Sequence, residues 1–173
     1  SNSLLKTSSQ DFGYCLGVLH HTENTIEGLR FCNRILKKNS PFLIYLYYNF
    51  DNRNILYKLI WKASNLLRLF ISKTPFKLKK MITNIIAILV YFPLARFSLI
   101  LHSFGFETKG LPLSYYKKES FYTMRTDSLD RFGTKLEKRF SKKEIVELLN
   151  LTGFKDIKFS KNMPYWVAIC KKK

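Results

Sequence analysis

The chain has 173 residues, 46% of them hydrophobic, and its 30 Lys and Arg against 12 Asp and Glu give a formal net charge of +18. Length and apolar content fit one globular domain with a real core, and three cysteines without metal-ligand spacing argue against a disulfide framework. So basic a balance favours nucleic acid, anionic lipid or a phosphorylated substrate as partner and says nothing of the fold.

In chain order, the first informative stretch is Asp11 to Thr22, DFGYCLGVLHHT. Phe12 to Leu16 reads as a short buried strand; Gly17 lets the backbone turn tightly or approach a ligand, and His20 and His21 follow on the exit loop. Asn24 and Glu27 have capping-box spacing, and Ile26, Leu29, Cys32 and Leu36 form one apolar stripe, predicting a helix from about Thr25 to Lys37. Asn39 suits a left-handed C-cap. Phe42 to Tyr48, FLIYLYY, reads as a strand buried on both faces of a parallel sheet. Strand, helix and strand make a βαβ unit, whose ligands bind beyond the carboxyl ends of its strands. Leu16, Gly17, His20 and His21 therefore share a rim with Tyr47, Tyr48 and Asn49.

From Ile55 to Ile71, Leu56, Leu59, Ile60, Ala63, Leu67 and Phe70 recur at helical spacing, with Lys58, Lys62 and Asn65 on the other face, as in a basic amphipathic helix. Met81 to Ala95 carries no charge, but Pro93 and Arg96 interrupt the run before the ~20 apolar residues of a transmembrane helix, so a core or interfacial helix is expected. Between Asn52 and Phe106 stand nine basic residues and no acidic one. Leu111 to Arg139 is polar, aromatic and turn-rich, and reads as a long ordered loop that covers a site. Ser141 and Glu144 form a second capping box for a helix carrying Ile145, Leu148 and Leu149 that stops at Gly153. Ile157 and Phe159 alternate with polar residues, Pro164 marks a turn, Tyr165 to Cys170 is a last strand, and Lys171 to Lys173 reads as a solvated tail. Cys15, Cys32 and Cys170 read as buried free thiols of a reducing compartment, the cytoplasm by default.

These residues carry a resemblance. The strand ending in Gly-Val-Leu-His-His, the Asn-capped helix, the Arg-Ile-Leu-Lys-Lys turn, the second apolar strand, and the C-terminal RFSKKEIVELLNLTGFKDIKFS and PYWVAICKK resemble the second half of a class I S-adenosylmethionine-dependent methyltransferase. The resemblance covers the two ends of the chain and departs from the family in having Lys-Asn-Ser where Pro-Gly-Gly is usual. It implies an α/β fold: the C-terminal part of a Rossmann-like sheet with a helical insertion and a final antiparallel hairpin. The divisions would be 1–50 for strand, helix and strand, 51–110 for the basic helical insertion, 111–140 for the site-covering loop, and 141–173 for the last helix and hairpin.

The same resemblance implies S-adenosylmethionine as cofactor, with Leu16, Gly17 and Val18 as its contacts. His20 and His21 become candidates for a general base, needed where the acceptor is a hydroxyl. Acceptor-binding candidates are Tyr47, Asn49, Tyr122, Asp127 and Arg131. A structural role for the histidines, core packing for the tyrosines, and an ion pair ordering the loop for Asp127, Asp130 and Arg131 remain open, whereas adjacent histidines without further ligands do not make a metal site. The expected acceptor is a small molecule, sugar or lipid-linked glycan. The seven glycines include no Gly-x-Gly pair, so the glycine-rich cofactor turn is expected in a missing N-terminal half, removed or supplied by another chain, and this chain alone is expected to be inactive. Residues 55–101, with Trp61, Leu67 and Phe70 among the lysines, suggest peripheral membrane contact. That pattern ranks lipid above nucleic acid as the partner, and the absence of the Asp/Asn-Pro-Pro-aromatic sequence of amino-directed DNA methyltransferases disfavours an enzyme that modifies DNA bases. The alternative is a catalytically silent basic module that docks on membranes or a partner.

Overall fold

The computed structural model describes residues 5–162 and 165–173; the expected turn at Pro164 lies outside them. The chain divides into two compact units, one of residues 1–52 and 136–173, the other of residues 53–135.

The first unit is built on a mixed sheet. Among the described residues its strands are β1 (Gly13–Leu16), β2 (Pro41–Tyr45), β3 (Phe154–Phe159) and β4 (Val167–Lys172), in the order β1-β2-β4-β3. β1 runs parallel to β2, with Gly13 opposite Phe42 and Leu16 opposite Tyr45. β4 is antiparallel to both β2 and β3, so the hairpin closes the sheet as expected. Two helices pack their apolar residues against one face. In α1 (Thr25–Ile35), the Asn24 side chain accepts from the Glu27 N–H, which satisfies one orphan donor of the first turn. The last helix, Lys142–Leu151, has the reciprocal capping box of Ser141 and Glu144.

The core gathers Leu29, Leu36, Phe42, Ile44, Ile145, Leu149 and Phe154, and the Phe42 and Phe154 rings stack with centroids 5.0 Å apart. β2 is not buried on both faces as its run of apolar residues suggests. Phe42, Ile44 and Leu46 are buried whereas Leu43 and Tyr45 are half-exposed, and on β1 Tyr14 is 70% exposed. The physical reason is one-sided cover: α1 and the last helix contribute to the core on the side of Phe42 and Ile44.

Several boundaries shift because side chains find tertiary partners. α1 ends at Ile35, since Leu36 bridges to Gln10 in extended conformation and is buried. Asn39 does adopt a left-handed φ of 63°, in the turn before β2 rather than as the helix cap. β2 stops at Tyr45, and the last strand starts at Val167 instead of Tyr165. It also takes in Lys171 and Lys172, which were expected in a solvated tail: the Lys172 ammonium donates to the Leu36 carbonyl at 2.7 Å.

The second unit is helical: α2 (Ile55–Ile71), α3 (Phe76–Ile86), a wide π turn (Ala87–Tyr91), α4 (Phe92–Ser103), a 3-10 turn (Ser114–Lys118) and α5 (Phe121–Gly133); the helix at Lys142–Leu151 is α6. The expected loop over 111–139 is corrected by α5. Ser120 caps it through Thr123 N–H, and Met124, Ser128 and Phe132 recur every four residues to form a buried stripe, a helical period masked by the polar residues between them.

α3, the π turn and α4 run on as one helix from Phe76 to Ser103, 28 residues, long and apolar enough by length and composition to cross a membrane. Pro93 does not break it, because it enters in the first turn of α4, directly after the π turn. There the wider winding accommodates the missing N–H and the ring.

Truncating the core and truncating the helical surface should separate cleanly in urea unfolding. Leu29→Ala, at a site with no exposed surface, is expected to cost about 2–5 kcal/mol. Leu89→Ala, at a site 68% exposed, should stay within about 0.5 kcal/mol.

Candidate active site

The rim beyond β1 and β2 is assembled from three short segments of the first unit. Gly17 leaves β1 at φ +72°, and a Cβ built there would meet nothing within 4 Å. Its N–H still donates to the Tyr45 carbonyl, so the turn stays attached to the sheet while its outer side is open. Leu16 and Val18 flank it, 47% and 53% exposed. The chain then winds into a 3-10 turn, Leu19–His21, rather than an open exit loop. The Leu19 carbonyl accepts from the hydroxyls of Thr22 and Thr25. The absent side chain of Gly28 lets α1 press on Leu19, since a Cβ there would lie 2.5 Å from a Leu19 methyl.

The second segment is the continuation of β2 through Tyr47, Tyr48 and Asn49. The third is a strap, residues 136–140, joined to it by an isolated parallel bridge between Tyr48 and Phe140. Phe140 N–H donates to the Tyr47 carbonyl at 2.8 Å, and Asn49 N–H donates to the Phe140 carbonyl at 3.1 Å. Lys138 N–H donates to the His20 carbonyl at 2.9 Å, which couples the strap to the histidine turn.

These contacts give the two histidines opposite settings. His20 is fully buried and stacks on the Tyr47 ring at 3.7 Å between centroids. Its Nδ1 accepts from the Tyr47 N–H at 3.3 Å, so the neutral ring carries its proton on Nε2, and among the described residues that atom has no hydrogen-bond partner. Burial, then the neighbouring His21 and Arg139, push its pKa down from 6.5 to about 4, because each penalises the imidazolium. His20 is thus a neutral ring with a buried donor. His21 is half-buried, and its Nδ1–H donates to the Leu136 carbonyl at 2.8 Å. That bond leaves the Nε2 lone pair as the accepting end of the neutral ring, the arrangement a general base requires.

Two residues of this rim were not singled out from the sequence. Arg139 donates through Nε to Glu137 Oε1 at 2.8 Å, with 13% and 2% of the two side chains exposed, and through Nη1 to the Tyr48 carbonyl. Its guanidinium stands 5.1 Å from the Tyr47 ring centre and 4.8 Å from that of Phe50. A cation is therefore already seated at Tyr47, where the ring face attracts positive charge. A Glu-x-Arg pair in a polar segment has no periodic signal; only the strap's pairing with β2 gives it a place.

The remaining candidates are divided between the two units. Asn49 is exposed at the end of the β2 continuation. Tyr122, Asp127 and Arg131 belong to the helical unit, on α5 rather than on a loop. Tyr122 is 68% exposed, Asp127 accepts from the Tyr116 hydroxyl at 2.9 Å, and Arg131 donates to the Ser64 hydroxyl at 3.2 Å and lies over the Trp61 ring. The last two contacts tie α5 to its neighbours, as ordering interactions do.

No family model and no curated protein matches the chain. Among solved structures it is similar to an S-adenosylmethionine-dependent methyltransferase of Thermotoga maritima, described as a possible histamine N-methyltransferase, at 14% identity and a TM-score of 0.46 over 99% of this chain. It is likewise similar to an S-adenosylmethionine-dependent methyltransferase of Methanosarcina mazei, at 12% identity and a TM-score of 0.42, again over 99% of this chain. The chain spans 59% and 63% of the lengths of these two proteins.

The depressed pKa of His20 sets a pH dependence. The unfolded ring takes up a proton near pH 6.5 that the folded ring refuses until about pH 4, so its contribution to stability is full above that window and is lost as pH falls through it. Urea midpoints measured from pH 7 to pH 4 should fall, and the fall should be shallower in His20→Asn than in the parent.

Proposed function

We propose that the chain carries the acceptor-side part of an S-adenosylmethionine-dependent methyl-transfer domain. The observation that carries this reading is the rim itself: at the carboxyl ends of two parallel strands, where open α/β sheets bind ligands, an open left-handed glycine is followed, four residues on, by a histidine whose Nδ1–H is held and whose Nε2 is left to accept. The closing hairpin that follows the last helix agrees with it.

The cofactor fits this rim in part. Open space at Gly17, between the exposed Leu16 and Val18, is room for a backbone-hugging methionine moiety, and the buried Nε2–H of His20 is a donor in search of an acceptor. No glycine-rich turn is present to hold the rest of the molecule. When bound, the cofactor supplies an electrophilic methyl group on a cationic sulfonium. His21 Nε2 would accept the proton of a hydroxyl acceptor, and the Leu136 carbonyl would hold the resulting imidazolium in orientation through Nδ1–H. Asn49 would bond a polar group of the acceptor, a small molecule, sugar or lipid-linked glycan.

Calorimetry tests the reading in two arms. The 173-residue chain alone is expected to show no saturable heat with S-adenosylmethionine, whereas the protein at its full natural length should bind it and lose at least tenfold in affinity on Gly17→Val. A full-length protein that does not bind the cofactor overturns the proposal, and tight binding by the isolated chain overturns the assignment of the cofactor contacts.

A further inference from the structure

The helical unit has a core of Ile71, Tyr91, Ala95, Met124 and Phe132, yet it turns many of its large apolar side chains outward. On the long helix the buried stripe is small or polar: Thr83, Ala87, Ala95 and Ser98, with Tyr91 the one large member. Residues four apart drift by about 40° around an α-helix, and the π turn at Ala87–Tyr91, winding wider, brings Tyr91 and Ala95 back into line with Thr83. The large apolar side chains stand on the opposite side, Met81 at 53% exposure, Ile85 at 46%, Leu89 at 68%, Phe97 at 54% and Ile100 at 53%.

α2 repeats the inversion. Its expected apolar face is the exposed one, with Leu56, Leu59, Leu67 and Phe70 between 55% and 76% exposed. Asn65 and Arg68 turn inward: Arg68 is 5% exposed and donates to the Asn65 side chain and to the carbonyls of Thr134 and Lys135. Arg96, the one charge in the long apolar run, likewise donates to the carbonyls of Lys117 and Glu119.

Water drives large apolar groups inward and leaves charges outside; a helix in hydrocarbon does the reverse, packing through small residues and turning its polar groups toward the bundle. We infer that the helical unit is seated in a lipid bilayer, with the outward faces of α2 and of the Phe76–Ser103 helix immersed in the acyl region of an anionic leaflet. Charge selects the leaflet. Lys73, Lys77 and Lys80 are exposed around the turn that joins the two helices, and no acidic residue stands between Asn52 and Phe106, so this edge meets anionic headgroups favourably. α5 fixes the depth. It packs on both α2 and α3 and exposes Thr126 and Asp130, which suit water, so the unit lies in one leaflet and does not span. The inference is independent of the methyl-transfer reading.

Vesicle flotation of the whole chain provides the test, with phosphatidylcholine vesicles containing about 30% phosphatidylglycerol. The chain should co-float, and part of it should stay bound at about 1 M salt, where the Debye length is only ~3 Å. Leu89→Asp with Phe97→Asp should lower the bound fraction at least tenfold, Lys73, Lys77 and Lys80→Gln should remove the preference for anionic over pure phosphatidylcholine vesicles, and Thr126→Asp on α5 should change nothing; circular dichroism keeps unfolded variants out of the comparison. No flotation, or flotation abolished by salt and indifferent to the aspartates, overturns the inference. A discrete lipid-free dimer that the aspartates dissociate and vesicles do not, overturns it in favour of a second copy of the chain as the occupant.

Discussion

The backbone pairing of residues 136–140 with the end of β2 is the contact on which the first unit depends. Where the chain returns from the helical unit, Phe140 donates to the Tyr47 carbonyl and accepts from the Asn49 N–H, and the Lys138 N–H reaches the His20 carbonyl. Backbone polar groups need partners, and this pairing supplies them to the Tyr47 carbonyl, the Asn49 N–H and both backbone groups of Phe140. The same pairing puts Leu136 against His21, Arg139 against Tyr47, and Ser141 at the start of α6. Asp51 then accepts from both the Lys142 N–H and the Trp166 indole, so the rim, the last helix and the approach to β4 are fixed from one point. The tautomer of His20 is set by the Tyr47 N–H, 27 positions on, and that of His21 by the Leu136 carbonyl, 115 positions on.

The charge distribution at this rim follows from burial. Glu137 and Arg139 are nearly removed from water, and such a pair persists only where further hydrogen bonds satisfy the guanidinium. The Tyr48 carbonyl supplies one of them. Having a fixed cation close by is one reason His20 remains neutral, after burial and the neighbouring ring of His21. Neutrality in turn suits its position: a charged imidazole stacked on Tyr47, with Nδ1 facing an N–H donor, would place two donors face to face.

The two units obey the same physics with opposite results. In the first, Leu29, Ile44, Leu149 and Phe154 are withdrawn from solvent by a sheet and two helices. In the second, beside a core of Ile71, Tyr91, Ala95, Met124 and Phe132, large apolar side chains such as Leu67, Phe70, Leu89 and Phe97 stay exposed. The inward polar contacts, Ser128 to the Thr83 carbonyl and Tyr116 to Asp127, hold the helices together by hydrogen bonds where burial of apolar area contributes little.

The sequence by itself determined the elements whose signal is local. Gly17, the caps at Asn24 and Ser141, the β-rich run beginning at Phe42 and the alternation at Ile157 and Phe159 each follow from side chains acting on their own or adjacent backbone, and the βαβ order with its closing hairpin follows from them. Tertiary structure alone decided what depends on a distant partner. Periodicity revealed the stripes of α2 but not which of them faces α5, because a 3.6-residue period is the same whether the apolar stripe points in or out. The helix at Phe121–Gly133 was hidden because its buried stripe is Met, Ser and Phe, mixed in polarity. Arg139 and Glu137 gained their meaning only when the strap paired with β2, since a contact across ninety residues leaves no trace in the spacing of its own segment.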